Sequence, residues 1–199
     1  MGKKYLIAFD FDGTITNNDT FIQFIKFSKG YFRFLCGFIL FLPLITIYKL
    51  KLYPNWKIKQ KIFSYFFKGT SLSEFNQICE NFANHNQHII RPKAIIKINE
   101  YLEQQFEIVI ISASIKNWVI PFANKLGIKN VIGTEIEIND NNSLTGKFST
   151  QNCYGQEKVN RLIQTFPNIN NYYLIAYGDS SGDKELLNFA DEKYYRGLE

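Results

Sequence analysis

Three cysteines in 199 residues are too few for a disulfide framework. Cys36, Cys79 and Cys153 also stand too far apart for a CxxC zinc site. Their odd number and spacing fit reduced thiols in a cytoplasmic protein. Histidine is scarcer still. His85 and His88 are the only two, and the polar run NHNQH around them reads as solvated surface rather than a metal site. The chain has no low-complexity linker, no internal repeat, no long basic tail and no nucleic-acid-binding signature, so a nucleic-acid partner is not expected. The first apolar run is too short for a signal peptide, and aspartates interrupt it. Gly2 lacks the Ser or Thr that a myristoylation motif places downstream. Leu198 and Glu199 read as a terminal scar.

Uncharged runs of membrane-spanning length are also missing. The longest that is also apolar throughout, Phe34 to Tyr48 (FLCGFILFLPLITIY), is 15 residues, where a spanning helix needs about 20. Pro43 sits near its middle, and Arg33 and Lys49 flank it. The segment is expected to form a buried helix, or a helix pair broken at Pro43, inside a helical layer. The alternative is an apolar surface that meets lipid or an acyl chain and makes the protein membrane-peripheral.

What is present is ample core material: 46% of the residues are hydrophobic and 17% aromatic. That excludes a disordered chain and suits one domain, or one core with an insertion. The net charge of +5 is mostly scattered lysine. It reflects either a compositional bias or attraction to an anionic substrate or membrane surface.

Short apolar runs at 5–9, 107–112, 130–138, 144–148, 172–177 and 192–196 read as strands, with a hairpin across 139–143. Helical spacing covers 92–104, 116–126, 155–165 and 183–189. Strands and helices alternate from residue 92 onward, which favours a parallel sheet wrapped by helices. Residues 17–90 differ, with helical spacing and no clear strand. The expected division is therefore an α/β core of residues 1–16 and 91–199, with a helical subdomain at 17–90.

In an open parallel sheet, ligands bind beyond the carboxyl ends of the strands. The run YLIAF delivers Asp10 and Asp12 there, IVIIS delivers Ser112 and Ser114, and YYLIAY delivers Asp179 and Asp183 in GDSSGD. Crowded carboxylates raise each other's pKa and resist ionising. A hard divalent cation such as Mg2+, which also takes phosphate oxygens, removes that cost. Two acids separated by one residue suit phosphoryl chemistry. One attacks phosphorus; the other protonates the leaving oxygen and later activates water. Gly13 lets the backbone turn closely around the phosphoryl group. Ser112 and backbone amides, including that of Ala113, can donate to its oxygens, and Lys158 is the candidate for neutralising them.

DFDGT, SAS, Lys158 and GDSSGD, in that order, resemble the four motifs of the haloacid dehalogenase (HAD) superfamily. An insertion directly after the first motif resembles its phosphoserine-phosphatase-like branch, subfamily IB. The resemblance implies an α/β fold: a HAD-like Rossmannoid parallel sheet with helices on both faces, plus an all-α cap inserted after the first strand. It implies a Mg2+-dependent phosphomonoester hydrolase with an aspartyl-phosphate intermediate. Asp10 would be nucleophile and metal ligand, and Asp12 general acid/base with its backbone carbonyl on the metal. Ser112 would bind the phosphoryl group, and Lys158 would hold nucleophile and phosphate. Asp179 would ligate Mg2+, with Asp183 ligating it or orienting its waters. The dehalogenases lack an acid at the Asp12 position, so the resemblance is to the phosphatases.

Phosphoserine phosphatases carry a glutamate where this chain has Asp19, which then either meets substrate or caps the next helix. They use a cap arginine where this chain offers Lys57, Lys59 and Lys61, and an asparagine where it has Gly182. These departures argue against phosphoserine itself and leave a small or lipid-linked phosphomonoester. Transfer to an acceptor other than water runs on the same scaffold. A non-catalytic phosphate-binding or membrane-associated protein is the remaining class, and the intact set of acids argues against it.

Overall fold

The computed structural model describes residues 3–50 and 53–199; Gly2 lies outside the described residues. In chain order the strands are β1 (Lys4–Phe9), β2 (Glu107–Ile115), β3 (Asn130–Thr134), β4 (Ile136–Ile138), β5 (Leu144–Phe148), β6 (Tyr172–Gly178) and β7 (Glu192–Tyr195). The helices are α1 (Thr20–Lys49), α2 (Asn55–Phe67), α3 (Leu72–His85), α4 (Pro92–Glu103), α5 (Lys116–Lys125), α6 (Gln156–Thr165) and α7 (Lys184–Phe189).

Five strands form one parallel sheet in the order β3-β2-β1-β6-β7. Its inner strands are apolar without a break because both faces are covered. Successive side chains point to opposite faces. Ile7, Phe9, Ile108, Ile110, Ile175 and Tyr177 enter one core, shared with α4, α5 and the helices of residues 20–85. Leu6, Ala8, Val109, Ile111, Leu174 and Ala176 enter a second core under α6 and α7. The expected fold class, a Rossmannoid α/β sheet with helices on both faces and a helical insertion after the first strand, is the one observed.

The insertion leaves and rejoins the sheet through paired connections. Thr16 bridges Ile90, Asn17 N–H donates to Ile89 O at 2.9 Å, and Arg91 N–H to Ile15 O at 2.9 Å. Its helices are bound to the α/β unit by aromatic packing. The Phe24 ring lies 4.7 to 5.6 Å from those of Phe67, Phe75, Phe82 and Trp118, the last on α5. Ser71 caps α3, accepting from Glu74 N–H at 3.2 Å. The β4–β5 hairpin is a separate two-stranded sheet. It joins the insertion: Gly69 N–H donates to Leu144 O at 2.8 Å, and Phe148 N–H to the Gln60 amide oxygen at 3.0 Å.

Three expectations need correction. The helix of residues 34–48 does not break at Pro43. The break in α1 comes at Gly30, whose φ of +75° and ψ of 160° no helix accommodates. Nor is that helix buried: Phe34 packs inward, but Phe32, Ile39 and Leu40 face solvent. Leu198, read as a terminal scar that carries no argument, packs in the larger core.

Candidate active site

The carboxyl end of β1 lies between those of β2 and β6, because the register pairs Phe9 with both Ile110 and Tyr177. Asp10 is the first residue past β1, and its N–H donates to Tyr177 O at 2.9 Å. The chain then folds back over Phe11–Ile15, and Thr16 N–H closes the loop on Phe11 O at 2.9 Å. Gly13 turns it with φ +83°, and a Cβ at that position would collide with the Asp179 carboxylate. Gly13 therefore serves both conformation and space. Gly13→Ala is expected to cost about 1–3 kcal/mol of stability and to cut turnover at least about 100-fold. Denaturant unfolding and steady-state rates measured together check this.

Lys158 reaches from α6 into the interior. Its Nζ donates to Asp10 Oδ1 at 2.5 Å and to Asp183 Oδ1 at 2.5 Å, and all three side chains are buried. One ammonium cannot satisfy two buried carboxylates. Burial works to lower the Lys158 pKa, but the charges of Asp10 and Asp183 outweigh it and raise it, so the side chain stays a cation. Asp183 takes most of the benefit. Burial would raise it, yet Lys158 and hydrogen bonds from Ser180 hold it below the usual carboxylate range. Its Oδ2 accepts from Ser180 N–H at 3.0 Å and Ser180 Oγ–H at 2.8 Å. At Asp10, burial outweighs the Lys158 charge, Asp183 and Asp12 add to it, and the carboxyl is pushed up to about 8. Burial also raises Asp179, against a 3.1 Å hydrogen bond from the Thr14 hydroxyl.

Oxygens of Asp10, Asp179 and Asp183 lie within 4.8 Å of one another. Three carboxylates against one lysine leave an excess of negative charge on an all-oxygen donor set, and Asp179 is partly open to solvent. The residues present therefore fit a hard divalent cation.

Asp12 is held apart from this cluster. Its carboxylate accepts from Thr20 N–H at 2.8 Å, from the Thr20 hydroxyl at 2.6 Å and from the Ser114 hydroxyl. The Trp118 indole N–H donates to Thr20 Oγ1 at 3.1 Å. Burial, then the nearby Asp19, raises the Asp12 pKa against these hydrogen bonds and the charge of Lys59.

The other expected residues fall as follows. Ser112 is buried beside the site, its Oγ accepting from Ser114 N–H at 3.0 Å. It is not a helix cap, because β2 runs on to Ile115 and α5 begins only at Lys116. Ala113 lies between the two serines at the same strand end, and its carbonyl accepts from Thr134 Oγ1 at 3.0 Å. Asp19 is exposed, and its carboxylate accepts from Phe21 N–H at 2.9 Å, a helix-capping contact. Arg161, the other basic residue of α6, is turned away to Gly133 O at 2.7 Å and Glu157 at 2.8 Å. Among the cap lysines, Lys57 and Lys61 lie over the rings of Trp56 and Tyr53. Lys59 lies over Phe21 and acts on Asp12. Gly182 stands against the Tyr154 ring, which a Cβ there would strike. Thr14, Thr20 and Trp118 were not foreseen. Only Thr14, inside DFDGT, had a sequence signal.

Two comparisons place the protein. Residues 7–188 match the family model of haloacid dehalogenase-like hydrolases, and the chain belongs to that family. It is 35% identical over 193 residues to protein CicA of Caulobacter vibrioides, spanning 96% of this chain and 85% of CicA. Among solved structures, a Bordetella pertussis protein of unknown function superposes with a TM-score of 0.86 at 18% identity, over 97% of this chain and 90% of that one. A phospho-aspartyl intermediate analogue of phosphoserine phosphatase superposes with a TM-score of 0.66 at 19% identity, over 97% and 86%. The fold is thus that of the phosphoserine-phosphatase-like branch.

Proposed function

We propose that the protein is a Mg2+-dependent phosphomonoester hydrolase that works through a phosphorylated Asp10. One arrangement carries this reading: Lys158 clamps Asp10 against Asp183 beside Asp179, while Asp12, two residues from Asp10, is held separately by Thr20 and Ser114. A nucleophile and an acid with different surroundings are what two-step phosphoryl transfer needs.

Asp10, Asp179 and Asp183, with the Asp12 carbonyl, would hold the cation, which supplies charge for the nucleophile and the phosphoryl oxygens. Lys158 fixes Asp10 through Oδ1. A carboxylate oxygen of Asp10 attacks phosphorus as the bond to the ester oxygen breaks, and the Asp12 carboxyl gives that oxygen its proton. Burial raises its pKa from the ordinary carboxylate value, the direction a general acid needs. Asp12, now a carboxylate, then takes a proton from water. The water oxygen attacks phosphorus, the acyl-phosphate bond breaks, and phosphate leaves with Asp10 regenerated. Ser112 and backbone amides of Gly13 and Ala113 serve the phosphoryl oxygens. Lys59 is the cap cation that would meet an anionic substrate, while Asp19, engaged in capping α1, is not free to meet a substrate amine. A lysine lacks the bidentate fork of arginine, which fits a small or lipid-linked phosphomonoester better than a carboxylate-bearing one.

Phosphate release from a panel of soluble and micellar phosphomonoesters is the test. Turnover should require Mg2+ and vanish with excess EDTA. Equal turnover with and without the chelator would sink the metal-dependent reading. Product analysis with added alcohols separates hydrolysis from transfer to an acceptor.

A further inference from the structure

Beyond Gly30, α1 is apolar on both flanks. One flank packs: Phe34 is in the larger core, Phe38, Phe41 and Ile45 lie against it, and Gly37 admits the Phe66 ring. The other flank meets solvent with Tyr31 (70% exposed), Phe32 (78%), Leu35, Ile39 (56%), Leu40 (61%) and Leu42. At about 100° per residue these six fall within one half of the helix. A helix apolar all round belongs in a core or against hydrocarbon. Scattered exposed apolar residues need no partner; a contiguous strip does.

Charge decides what that partner is. From Thr20 to Ser73 the sequence holds nine basic residues and no acidic one. The rest of the chain holds fourteen basic and eighteen acidic residues. The excess positive charge of the chain thus falls in the same stretch of sequence as the apolar strip. A second copy of the same surface would meet it with like charge. An anionic bilayer offers hydrocarbon and negative charge together. Trp56, exposed at the start of α2 and followed by Lys57, is a pairing suited to the headgroup region.

Thr20–Ile47 is long and apolar enough to cross a membrane by length and composition, but its surroundings point to lying in the plane. Phe21, Phe24 and Ile25 are committed to the core, and Thr20 is bonded to Asp12. The uncharged run of 15 residues spans only about 22 Å of a hydrocarbon layer about 30 Å thick.

We propose that the exposed flank of α1 from Tyr31 to Leu42 is a docking surface for an anionic lipid bilayer, lying in its interface. The enzyme is then membrane-peripheral, held by apolar insertion and by the surrounding lysines.

Vesicle co-sedimentation of the full chain tests this. Binding to phosphatidylcholine vesicles with about one-third phosphatidylserine should exceed binding to phosphatidylcholine alone by about ten-fold or more, and high salt should weaken it. Phe32→Ser combined with Ile39→Ser should lower binding at least about ten-fold with an unchanged thermal melt, since both side chains are exposed. Ile96→Ser, at an exposed position of α4 outside the strip, should bind as the wild type. Four results would each overturn the proposal: no binding by the wild type, equal binding by the double variant, resistance to alkaline carbonate extraction (a spanning helix), or a dimer broken by the double variant without vesicle binding (a second copy on the strip). The assay reads no turnover, so its failure is separate from failure of the hydrolase reading.

Discussion

Asp10→Asn is expected to lose turnover by at least about four orders of magnitude while melting no lower than the wild type. The first half follows from chemistry. An amide is a poor nucleophile and a poor cation ligand, and the other carboxylate on Lys158, Asp183, is fully buried and tied to Ser180. The second half follows from the electrostatics of the buried cluster. In the metal-free protein Asp10 is pushed up to about 8 by burial, above its ordinary value of about 3.9. The folded state then binds a proton that the unfolded state releases, so stability falls as pH rises from about 4 toward about 8. The asparagine has no such slope, and its advantage over the metal-free wild type should grow with pH across that window. Thermal melts of both proteins in EDTA, at several pH values, read this directly. With Mg2+ the order should reverse, because the cation stabilises whichever protein binds it more tightly. A variant that unfolds at all pH values would show that Asp10 holds the fold rather than the chemistry.

Lys158→Met should be damaging in both respects. It leaves Asp10 and Asp183 buried without their shared cation, a loss of about 3–5 kcal/mol, or a fall in Tm of about 10 °C for a chain of this size. The wild-type pair keeps its stabilising effect until pH rises past the ordinary lysine value, because the Lys158 pKa is raised on folding. In the variant the two carboxyls must take up protons to stay buried, so its deficit should shrink on acidification. Activity should fall about 1,000-fold or more, since a preorganised charge at the phosphoryl group is lost. Lys158→Arg should not restore it, because a planar guanidinium does not fit where a compact ammonium touches two oxygens at 2.5 Å. Calorimetry and initial rates on the two variants check both effects.

The catalytic edge was legible because its signals are local. Each acid follows an apolar run that only a strand buried on both faces explains, and parallel strands bring such ends together. What was not legible depends on contacts across the chain. The Asp12 carboxylate is held by Thr20, eight residues on, and by Ser114, 102 residues away, with Trp118 fixing Thr20 from α5. Nothing in those residue types announces that they meet. SASIKNW has capping chemistry at Ser112, yet the pairing of Ile115 with Thr134 in β3 carries the strand three residues further. A break at Pro43 is one of the two forms the sequence allows for the buried helix, and the helix runs through that residue. Gly30 breaks it instead, since an unhindered φ is a sharper stop than a proline in a helix with an open flank. That open flank was itself ambiguous in sequence: with apolar residues on both sides of α1, periodicity cannot say which side is packed. Composition also could not choose among Lys57, Lys59 and Lys61. Only the packing of α2 against α1 turns Lys59 toward the Asp12 region.

A phosphoryl group carried on Asp10 is the intermediate on which the proposed mechanism stands. Asp12→Asn should remove the acid/base while leaving the Asp10 cluster intact. p-Nitrophenyl phosphate, whose leaving group needs no proton, would still load the variant in the presence of Mg2+. Acid quenching and peptide mass mapping should then find one added phosphoryl group on the peptide that contains Asp10, absent when EDTA is included and absent in Asp10→Asn with Asp12→Asn. Turnover of the same ester with no covalent adduct, or an adduct on any other residue, would contradict the account.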